Sequence, residues 1–427
     1  MPGRRRAILT LASYAVISTA VSASFFVGYF QAANDKAWFW LVLAVFQAAL
    51  LSSLIPFRSV LLRQISAAAT LLITVNLFSP LLPLGEPLVT LVPSVRHQIR
   101  VVGDVMPGFS GVQTITTDSE GHRTNKPVDY RRKTPNVLRV VAFGGSSTED
   151  IFLDDAKTWT SLLAARLSKE LDRPVEMINT GVSGLRAVHH LASLRDSERY
   201  SPDVAIFMIG INDWIRQIRR SQQGGFEKVF DYLGSFSVNR TVLFRAMRQA
   251  FRSLTGLLSG GPLSDGQVFD EDGADRSSHS LSRPDQRSLQ VAEVSKDYEI
   301  SVGAIIAECK KRRIVCFLVD QATAYDPSIE PALKPRLWMT PSKEEYTLSL
   351  EDMSQIARFY NAWLEREARK KAIPFCGVAK DVPPTTGFFY DDCHFNEGGA
   401  QRIAQLLSAC MGPTIRSELL EWRDRKN

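Results

Sequence analysis

The chain has 427 residues, 45% of them hydrophobic, which suits a folded protein and leaves room for more than one domain. Its 51 basic and 45 acidic side chains give a net charge of +6 at pH 7, a small excess for this length. Three of the basic residues adjoin at positions 4–6. No basic stripe stands out elsewhere, so the charge pattern argues against a nucleic-acid-binding protein.

Three long stretches without a charged residue open the chain, at residues 7–34, 37–57 and 64–85. Crossing a bilayer takes about 20 mainly apolar residues, so each stretch is long enough. A cleaved signal peptide would account only for the first stretch, and buried core helices are disfavoured by three such stretches in succession. Residues 1–93 are therefore predicted to form a membrane anchor with two or three transmembrane helices.

The arginines beside these stretches predict the topology. Positive residues mark the cytoplasmic side of a membrane, which places residues 4–6 and the loop with Arg58 and Arg63 inside. The third stretch contains Asn76 and two prolines, so it decides the outcome. Three crossings put the rest of the chain outside the cytoplasm, whereas two crossings leave it inside. We expect three crossings, and therefore an inner-membrane protein with an extracytoplasmic domain at residues 94–427.

Strand-like apolar runs alternate with helical patterns in this domain. The predicted strands are Leu138–Gly144, Val175–Gly181, Asp203–Gly210, Ile314–Asp320 and Ile373–Val378. Apolar residues recur every four positions over 159–171, and a second helical pattern covers 353–369. Continuous apolar strands that alternate with helices predict an α/β fold, with a parallel sheet covered on both faces.

Polar and glycine-rich motifs occur where the predicted strands end. The first strand ends in "GGSST", the second in "NTGVSG" and the third in "GIND", while "YDDCHFNEGG" follows the fifth. Ligands of parallel sheets bind beyond the carboxyl ends of the strands. These motifs are therefore expected to form the functional site.

In this order, the four motifs resemble the sequence blocks of the SGNH hydrolases, also called GDSL-type esterases and lipases. The resemblance implies a flavodoxin-like three-layer parallel sheet, the SGNH hydrolase fold. It assigns five site residues: the nucleophile Ser146, the oxyanion-hole residues Gly184 and Asn212, and the acid Asp391 with the base His394. The segment "TDSEGHRT" (Thr117–Thr124) is similar to the lead-in of a membrane-associated branch of the family.

The chemistry of these residue types supports the same assignment. A serine hydroxyl is a poor nucleophile until a base takes its proton, and His394 is the candidate base. Asp391 precedes it by three residues and can orient the imidazole. A phosphate-binding loop is the alternative for "GGSST", but no GxxxxGK[ST] pattern is present. Taken singly, Asn212 could be a turn former and His394 a helix cap.

Two features depart from or interrupt the family pattern. Gly145 stands where an aspartate is usual in the family, which removes a carboxylate that helps to brace the loop. An insertion is predicted at about 219–296. Within it, residues 240–254 have the pattern of a basic amphipathic helix, which could lie on an anionic membrane or cover the site. Residues 259–287 are rich in Ser, Gly and Asp and predict a flexible loop.

The cysteines and the remaining histidines predict no metal site and no cofactor. The five cysteines are Cys309, Cys316, Cys376, Cys393 and Cys410. None forms a CxxC pair, so a zinc site is not expected, and their disulfide state stays open. The adjacent His189 and His190 are interpreted as surface residues of a helix rather than as metal ligands.

The sequence predicts a membrane-anchored serine ester hydrolase that acts on acyl or acetyl esters. Its expected partners are the membrane and an ester substrate, which could be a lipid, a small acyl ester or an acetylated polysaccharide. One alternative is an O-acetyltransferase or deacetylase of a cell-envelope polysaccharide, since the same triad and anchor serve both. The other is a non-catalytic module for envelope assembly or carbohydrate binding.

Overall fold

The computed structural model describes residues 88–101, 106–126, 128–130, 132–222, 268–271, 285–289, 291–339 and 346–424. They belong to one compact unit, formed by Leu88–Gly224 and Leu254–Asn427. The three stretches predicted to cross the membrane and the predicted basic helix lie outside the described residues, so they stay predictions. In the described part of the chain, no helix combines the length and apolar character that a membrane crossing requires.

The described residues form ten strands and seven α-helices. The strands are β1 (Arg96–Val101), β2 (Val112–Thr116), β3 (Leu138–Gly144), β4 (Val175–Asn179), β5 (Val204–Met208), β6 (Val268–Glu271), β7 (Asp285–Gln286), β8 (Val315–Val319), β9 (Tyr346–Thr347) and β10 (Phe375–Cys376). The helices are α1 (Ser146–Glu149), α2 (Trp159–Glu170), α3 (Ala187–Asp196), α4 (Ile211–Gln222), α5 (Lys296–Arg312), α6 (Leu350–Lys370) and α7 (Glu397–Asp424).

A five-stranded parallel sheet forms the centre of this unit, in the order β10-β8-β5-β3-β4. Every residue of β3 and β5 is buried, as their continuous apolar sequences predict. All five predicted strands are present, and four of them are shorter than the apolar runs. The predicted α/β class and parallel sheet are therefore confirmed.

Helices cover both faces of the central sheet. Helix α2 packs against α7, while α3 packs against α5. Right-handed crossovers place these two pairs on opposite faces, because the chain moves from β3 towards one edge and later from β5 towards the other. In α2, the side chains of Trp159, Leu163 and Leu167 are fully buried, as the four-residue repeat predicts.

Small strands outside the central sheet were missed by the sequence analysis. Strands β1 and β2 pair antiparallel, and β6 adds to β1 in parallel. Strand β7 pairs with β9. Strands β6 and β7 lie within residues 259–287, for which the sequence predicts a flexible loop; that prediction did not anticipate these two pairings, and the flexibility of the segment stays a prediction. Each gains its order from a strand distant in sequence, which composition alone does not reveal.

Four of the five cysteines form two disulfides in the structure. Cys309 and Cys316 connect the end of α5 to β8. Cys376 and Cys410 connect the edge strand β10 to α7. Cys393 is buried and lies outside both disulfides. Each disulfide therefore connects a helix to one of the last two strands of the central sheet in the chain, β8 or β10.

Candidate active site

A sharp turn from β3 into the one-turn helix α1 presents Ser146. Two glycines make the turn possible. A Cβ atom at Gly144 would lie 2.0 Å from Thr148 Oγ1, and one at Gly145 would lie 2.5 Å from Asn212 Nδ2. Substituting either glycine would therefore displace a neighbour. The absent aspartate at position 145 leaves room for the Asn212 amide beside the turn.

Only the first of the two adjacent serines contacts the histidine. Ser146 Oγ lies 2.6 Å from His394 Nε2. The neighbouring Ser147 is buried, where its hydroxyl donates to the Cys393 carbonyl (3.1 Å) and accepts from Gln321 Nε2 (3.1 Å). Ser147 thus has a packing role, and Ser146 is the hydroxyl available for chemistry.

A buried carboxylate orients the histidine. His394 Nδ1 lies 2.8 Å from both carboxylate oxygens of Asp391, which is fully buried. The backbone N–H groups of Cys393 and His394 also donate to this carboxylate, at 3.1 and 2.9 Å. Since the carboxylate can only accept, the proton of a neutral imidazole lies on Nδ1, and Nε2 is left to accept from Ser146.

An aromatic cluster supports the histidine from one side. The ring of Tyr390 stacks on His394, with centroids 5.5 Å apart and planes 11° apart. Phe109 and Phe152 pack against Tyr390 at centroid distances of 5.4 and 5.8 Å. Sequence analysis missed these residues. The position of Tyr390 directly before the "DDCH" motif was the one available signal.

The predicted oxyanion-hole residues lie at the same edge of the sheet as Ser146. Asn212 is the second residue of α4, and its Nδ2 donates one hydrogen to the Leu185 carbonyl at 2.9 Å, which leaves the second hydrogen for a ligand. Gly184 lies in the loop after β4 with φ +77°, and its Cβ position faces open space. As the first residue of α1, Ser146 has an N–H without an intrahelical partner.

Hydrogen bonds join the Gly184 loop to the turn that carries the serine. The N–H of Val182 donates to the Gly144 carbonyl at 3.2 Å. The N–H and hydroxyl of Ser183 donate to the buried Glu149 carboxylate at 2.5 and 2.6 Å. The structure thus brings all five predicted site residues to one edge of the sheet, with the Ser146, His394 and Asp391 side chains in direct contact.

Three further carboxyl groups are buried around the site. Burial raises the pKa of Asp150 to about 8, and that of Asp213 to about 7. Burial, and after it the charge of Asp391, raises the pKa of Asp392, whose carboxylate accepts from Tyr325 at 2.6 Å. The sequence analysis assigned no role to these groups, because burial of a single acid leaves no sequence pattern.

The cluster around the histidine also includes potential metal ligands. Donor atoms of Asp391, Asp392, Cys393 and His394 lie within 4.8 Å of one another. Both ring nitrogens of His394 are already hydrogen-bonded, to Asp391 and Ser146, and Asp392 accepts from Tyr325. The donor set therefore fits a serine–histidine–aspartate arrangement better than a metal centre.

The interpretation of His189 and His190 as surface residues was wrong for the second of them. His190 is 1% exposed, and burial lowers its pKa to about 3. His189 is partly exposed, and its Nδ1 accepts from the Arg186 N–H at 3.0 Å. Helix α3 packs against both β3 and α5, and the burial of His190 within this packing is not encoded locally.

The chain matches one protein family in sequence and resembles several solved structures in fold. Residues 142–402 match the sequence model of the GDSL-like lipase/acylhydrolase family. No curated protein matches the chain significantly. Similar solved structures include an α/β hydrolase from the metagenome of Lake Arreo, with 14% identity and a TM-score of 0.36 over 66% of this chain and 98% of that one. A GDSL-like lipase from Bacteroides thetaiotaomicron has 13% identity and a TM-score of 0.34 over 65% and 88%. An acetyl xylan esterase, AlAXEase, has 14% identity and a TM-score of 0.34 over 64% and 98%.

Proposed function

The chain belongs to the GDSL-like lipase/acylhydrolase family, and is thus an SGNH-type esterase; from this premise we propose that Ser146, His394 and Asp391 are its catalytic triad. The observation that carries the proposal is the 2.6 Å distance from Ser146 Oγ to His394 Nε2. The 2.8 Å contact of His394 Nδ1 with Asp391 supports it. A non-catalytic module would have no need to keep these three side chains aligned.

In the proposed reaction, His394 Nε2 takes the Ser146 proton while Oγ attacks the ester carbonyl carbon. Asp391 stabilises the imidazolium that forms. The tetrahedral intermediate collapses when the C–O bond to the alcohol breaks, and the imidazolium gives its proton to the leaving oxygen. Water then attacks the acyl-enzyme, with His394 again as the base, and releases the acid and free Ser146.

The oxyanion of each tetrahedral intermediate requires donors that are already in place. We assign this role to the N–H groups of Ser146 and Gly184 and to the second hydrogen of Asn212 Nδ2. Losing one such donor costs about 3–4 kcal/mol of transition-state stabilisation. Because Asn212 is held by the Leu185 carbonyl, its amide needs no reorganisation when charge develops.

The substrate is proposed to be an acyl or acetyl ester, in line with the family. O-acetyl transfer to or from a cell-envelope polysaccharide is the alternative, because an acyl-enzyme can be resolved by a sugar hydroxyl instead of by water. An ester panel from acetyl to long-chain acyl, assayed with and without polysaccharide acceptor, separates the two. Acetylated polysaccharide as a product would support the transferase.

The domain is further proposed to lie outside the cytoplasm, tethered by the predicted spans in residues 1–93. The two disulfides support this location, since such bonds persist in oxidising compartments and are rare in the cytosol. A reporter that is active only after export, fused after Arg100, should be active. An inactive fusion at this position would contradict three crossings.

Covalent labelling of the full-length chain in detergent tests the triad. An organophosphonate should add one adduct, read by intact mass and peptide mapping, to the wild type and to Ser147→Ala. Ser146→Ala should remain unlabelled. Ser147→Ala is the matched control, since it removes a neighbouring hydroxyl that contacts no base. An adduct on Ser147, or none on folded wild-type protein, would refute the assignment.

A further inference from the structure

The helix that carries Ser146 is one turn long, so its carbonyl groups have few partners within the helix. Ser146 O accepts from the Asp150 N–H at 2.9 Å. The next three carbonyls accept from side chains of other segments. Ser147 O accepts from Trp159 Nε1 (2.9 Å), Thr148 O from Asn179 Nδ2 (2.6 Å) and Glu149 O from Arg123 Nη1 (2.7 Å).

We call the side chains that bind these carbonyls the frame of the serine turn. Of these side chains, Arg123 makes the most hydrogen bonds to the turn and to the residues after it. The side chain is buried, and besides Glu149 it donates to the carbonyls of Asp150 and Leu153. Its Nε also donates to Asp155 Oδ1 at 3.3 Å. A guanidinium has five donors in a planar fork, so it can satisfy several acceptors at once. Its positive charge also suits the carboxyl end of a helical turn.

The backbone holds Arg123 in place. Its N–H donates to the Asn179 carbonyl at 3.1 Å, at the end of β4. The backbone of Arg123 also forms an isolated antiparallel β-bridge with Thr117. Arg123 belongs to the segment Thr117–Thr124, which the proposed mechanism does not use. The segment is thereby joined to the central sheet beside the serine turn.

We propose that Arg123 is a positioning residue of the esterase, which holds the turn of Ser146 so that its Oγ and N–H are aligned for catalysis. The inference rests on the proposed role of Ser146. The Thr117–Thr124 segment then supports the active site through the contacts of Arg123 with the serine turn.

The frame explains why arginine is required at this position. A lysine has three N–H donors on a single nitrogen, so it lacks the planar fork whose two terminal nitrogens contact the carbonyls of Glu149, Asp150 and Leu153. A buried carbonyl without a donor is costly, so the turn would shift to find another partner. A displacement of about 1 Å at a reacting group can reduce the rate by about 10²-fold.

Arg139 is a matched control within the same sheet. It is also buried, and it donates to the Tyr200 carbonyl (2.7 Å), to Glu176 (2.7 Å) and to the Asp129 carbonyl (3.0 Å). It lies at the amino end of β3, whereas Ser146 follows the carboxyl end. Substituting Arg139 should therefore disturb stability without disturbing the serine turn.

Steady-state kinetics on the full chain compare Arg123→Lys and Arg123→Met with the same changes at Arg139. We expect Arg123→Met to lower kcat by about 10²-fold, with KM changed little, and Arg123→Lys to recover part of the loss. Phosphonate labelling should slow in parallel. The Arg139 variants should lose thermal stability but keep kcat per folded molecule. If both Arg123 variants kept wild-type kcat, the inference would be wrong.

Hydrogen exchange gives a readout that does not depend on activity. In Arg123→Lys, amides of residues 146–153 should exchange faster than in the wild type, while Arg139→Lys should leave them unchanged. Unchanged exchange in Arg123→Lys would overturn the positioning role, including when Arg123→Met fails to fold. If turnover proved independent of Ser146, the proposed function would fail, and the exchange result would still decide whether Arg123 holds the turn.

Discussion

At the residue scale, existing hydrogen bonds determine which polar groups of the site can take part in chemistry. Ser147 is occupied by the Cys393 carbonyl and Gln321, so Ser146 alone faces the histidine. The Asn212 amide donates one hydrogen to the Leu185 carbonyl, and this bond fixes the orientation of its second N–H. A donor held in this way is worth most when negative charge develops beside it.

Asn212→Ala tests this role at the residue scale. Nucleophile and base remain, so phosphonate labelling should persist at a lower rate, while kcat should fall by about 10²–10³ with KM little changed. Asn361→Ala is the control, because that amide bonds the main chain of Gln321 at 2.9 and 3.0 Å and has no proposed role in catalysis. Full turnover in Asn212→Ala would return that asparagine to a turn-forming role.

At the scale of elements, the site is an assembly of strand ends. The parallel sheet brings the ends of β3, β4 and β5 to one edge. The glycine pair then allows close contact between these ends, since Gly145 leaves space for the Asn212 amide. The loop after β4 is joined to α1 through Ser183 and Glu149. The site therefore depends on how three loops pack, as much as on the triad itself.

Gly145→Asp tests the packing of these loops. The new Cβ would lie 2.5 Å from Asn212 Nδ2, so the amide should be displaced even though aspartate is usual here in the family. We expect kcat to fall about as far as in Asn212→Ala. The double variant should be little worse than either single one, because both remove the same donor. Gly303→Ala, in open space on α5, is the control and should keep wild-type kcat. Additive losses would show that Gly145 acts through another neighbour.

At the scale of the whole molecule, two disulfides and several buried acids affect the free energy of unfolding. The disulfides join α5 to β8 and β10 to α7, and so cross-link the second half of the fold. The buried acids resist ionisation because burial disfavours the charged carboxylate. Stability should therefore depend on both redox state and pH.

Removal of the Cys376–Cys410 disulfide should lower the free energy of unfolding by about 3–4 kcal/mol, because it closes a loop with a sequence separation of 34. The Cys309–Cys316 disulfide, with a separation of 7, should contribute less, about 2–3 kcal/mol. Denaturant titration of the double serine variants measures both, with Cys393→Ser as the control outside the disulfides. If reduction left the midpoint unchanged, the pairing and its support for an extracytoplasmic location would both fall.

Stability should fall as the pH rises from 6.5 to 8. Burial raises the pKa of Asp150 to about 8 and that of Asp213 to about 7, so the folded chain keeps protons that the unfolded chain has lost. For each proton that only the folded chain retains, the free energy of unfolding falls by roughly 1.4 kcal/mol per pH unit, until the pH reaches the pKa of the group in the folded chain. Below pH 6.5, protonation of His190 in the unfolded chain opposes this trend, because burial lowers its pKa to about 3.

Thermal melts at pH 6.5 and 8 measure the effect. Asp150→Asn should reduce the loss of melting temperature between the two values, since the amide cannot ionise. The exposed Asp172→Asn should leave the pH dependence as it is in the wild type. Equal slopes in the wild type and in Asp150→Asn would mean that Asp150 is ionised throughout this range.

The sequence alone predicted the five central strands and the helices at 159–171 and 353–369. Through the resemblance to the SGNH hydrolases, it also predicted the residues that the structure brings together around Ser146. Short continuous apolar runs are typical of strands that are buried on both faces. Where such runs alternate with helical patterns, they predict a parallel sheet. The motifs follow directly at the strand ends, so position along the chain predicts position in the fold. Asp391 and His394 are three residues apart, and so their contact is local as well.

The tertiary structure alone decided what depends on distant contacts. The side-chain partners of Arg123 lie 26–32 residues further along the chain. Most of them are backbone carbonyls, so the sequence of that segment does not indicate that an arginine binds there. The pairing of Cys376 with Cys410, the burial of His190 and the stacking of Tyr390 on His394 likewise follow from how the helices pack. Composition and periodicity report which face of an element is buried. They do not report which group it meets there, because that depends on the register and packing of segments far apart in the chain.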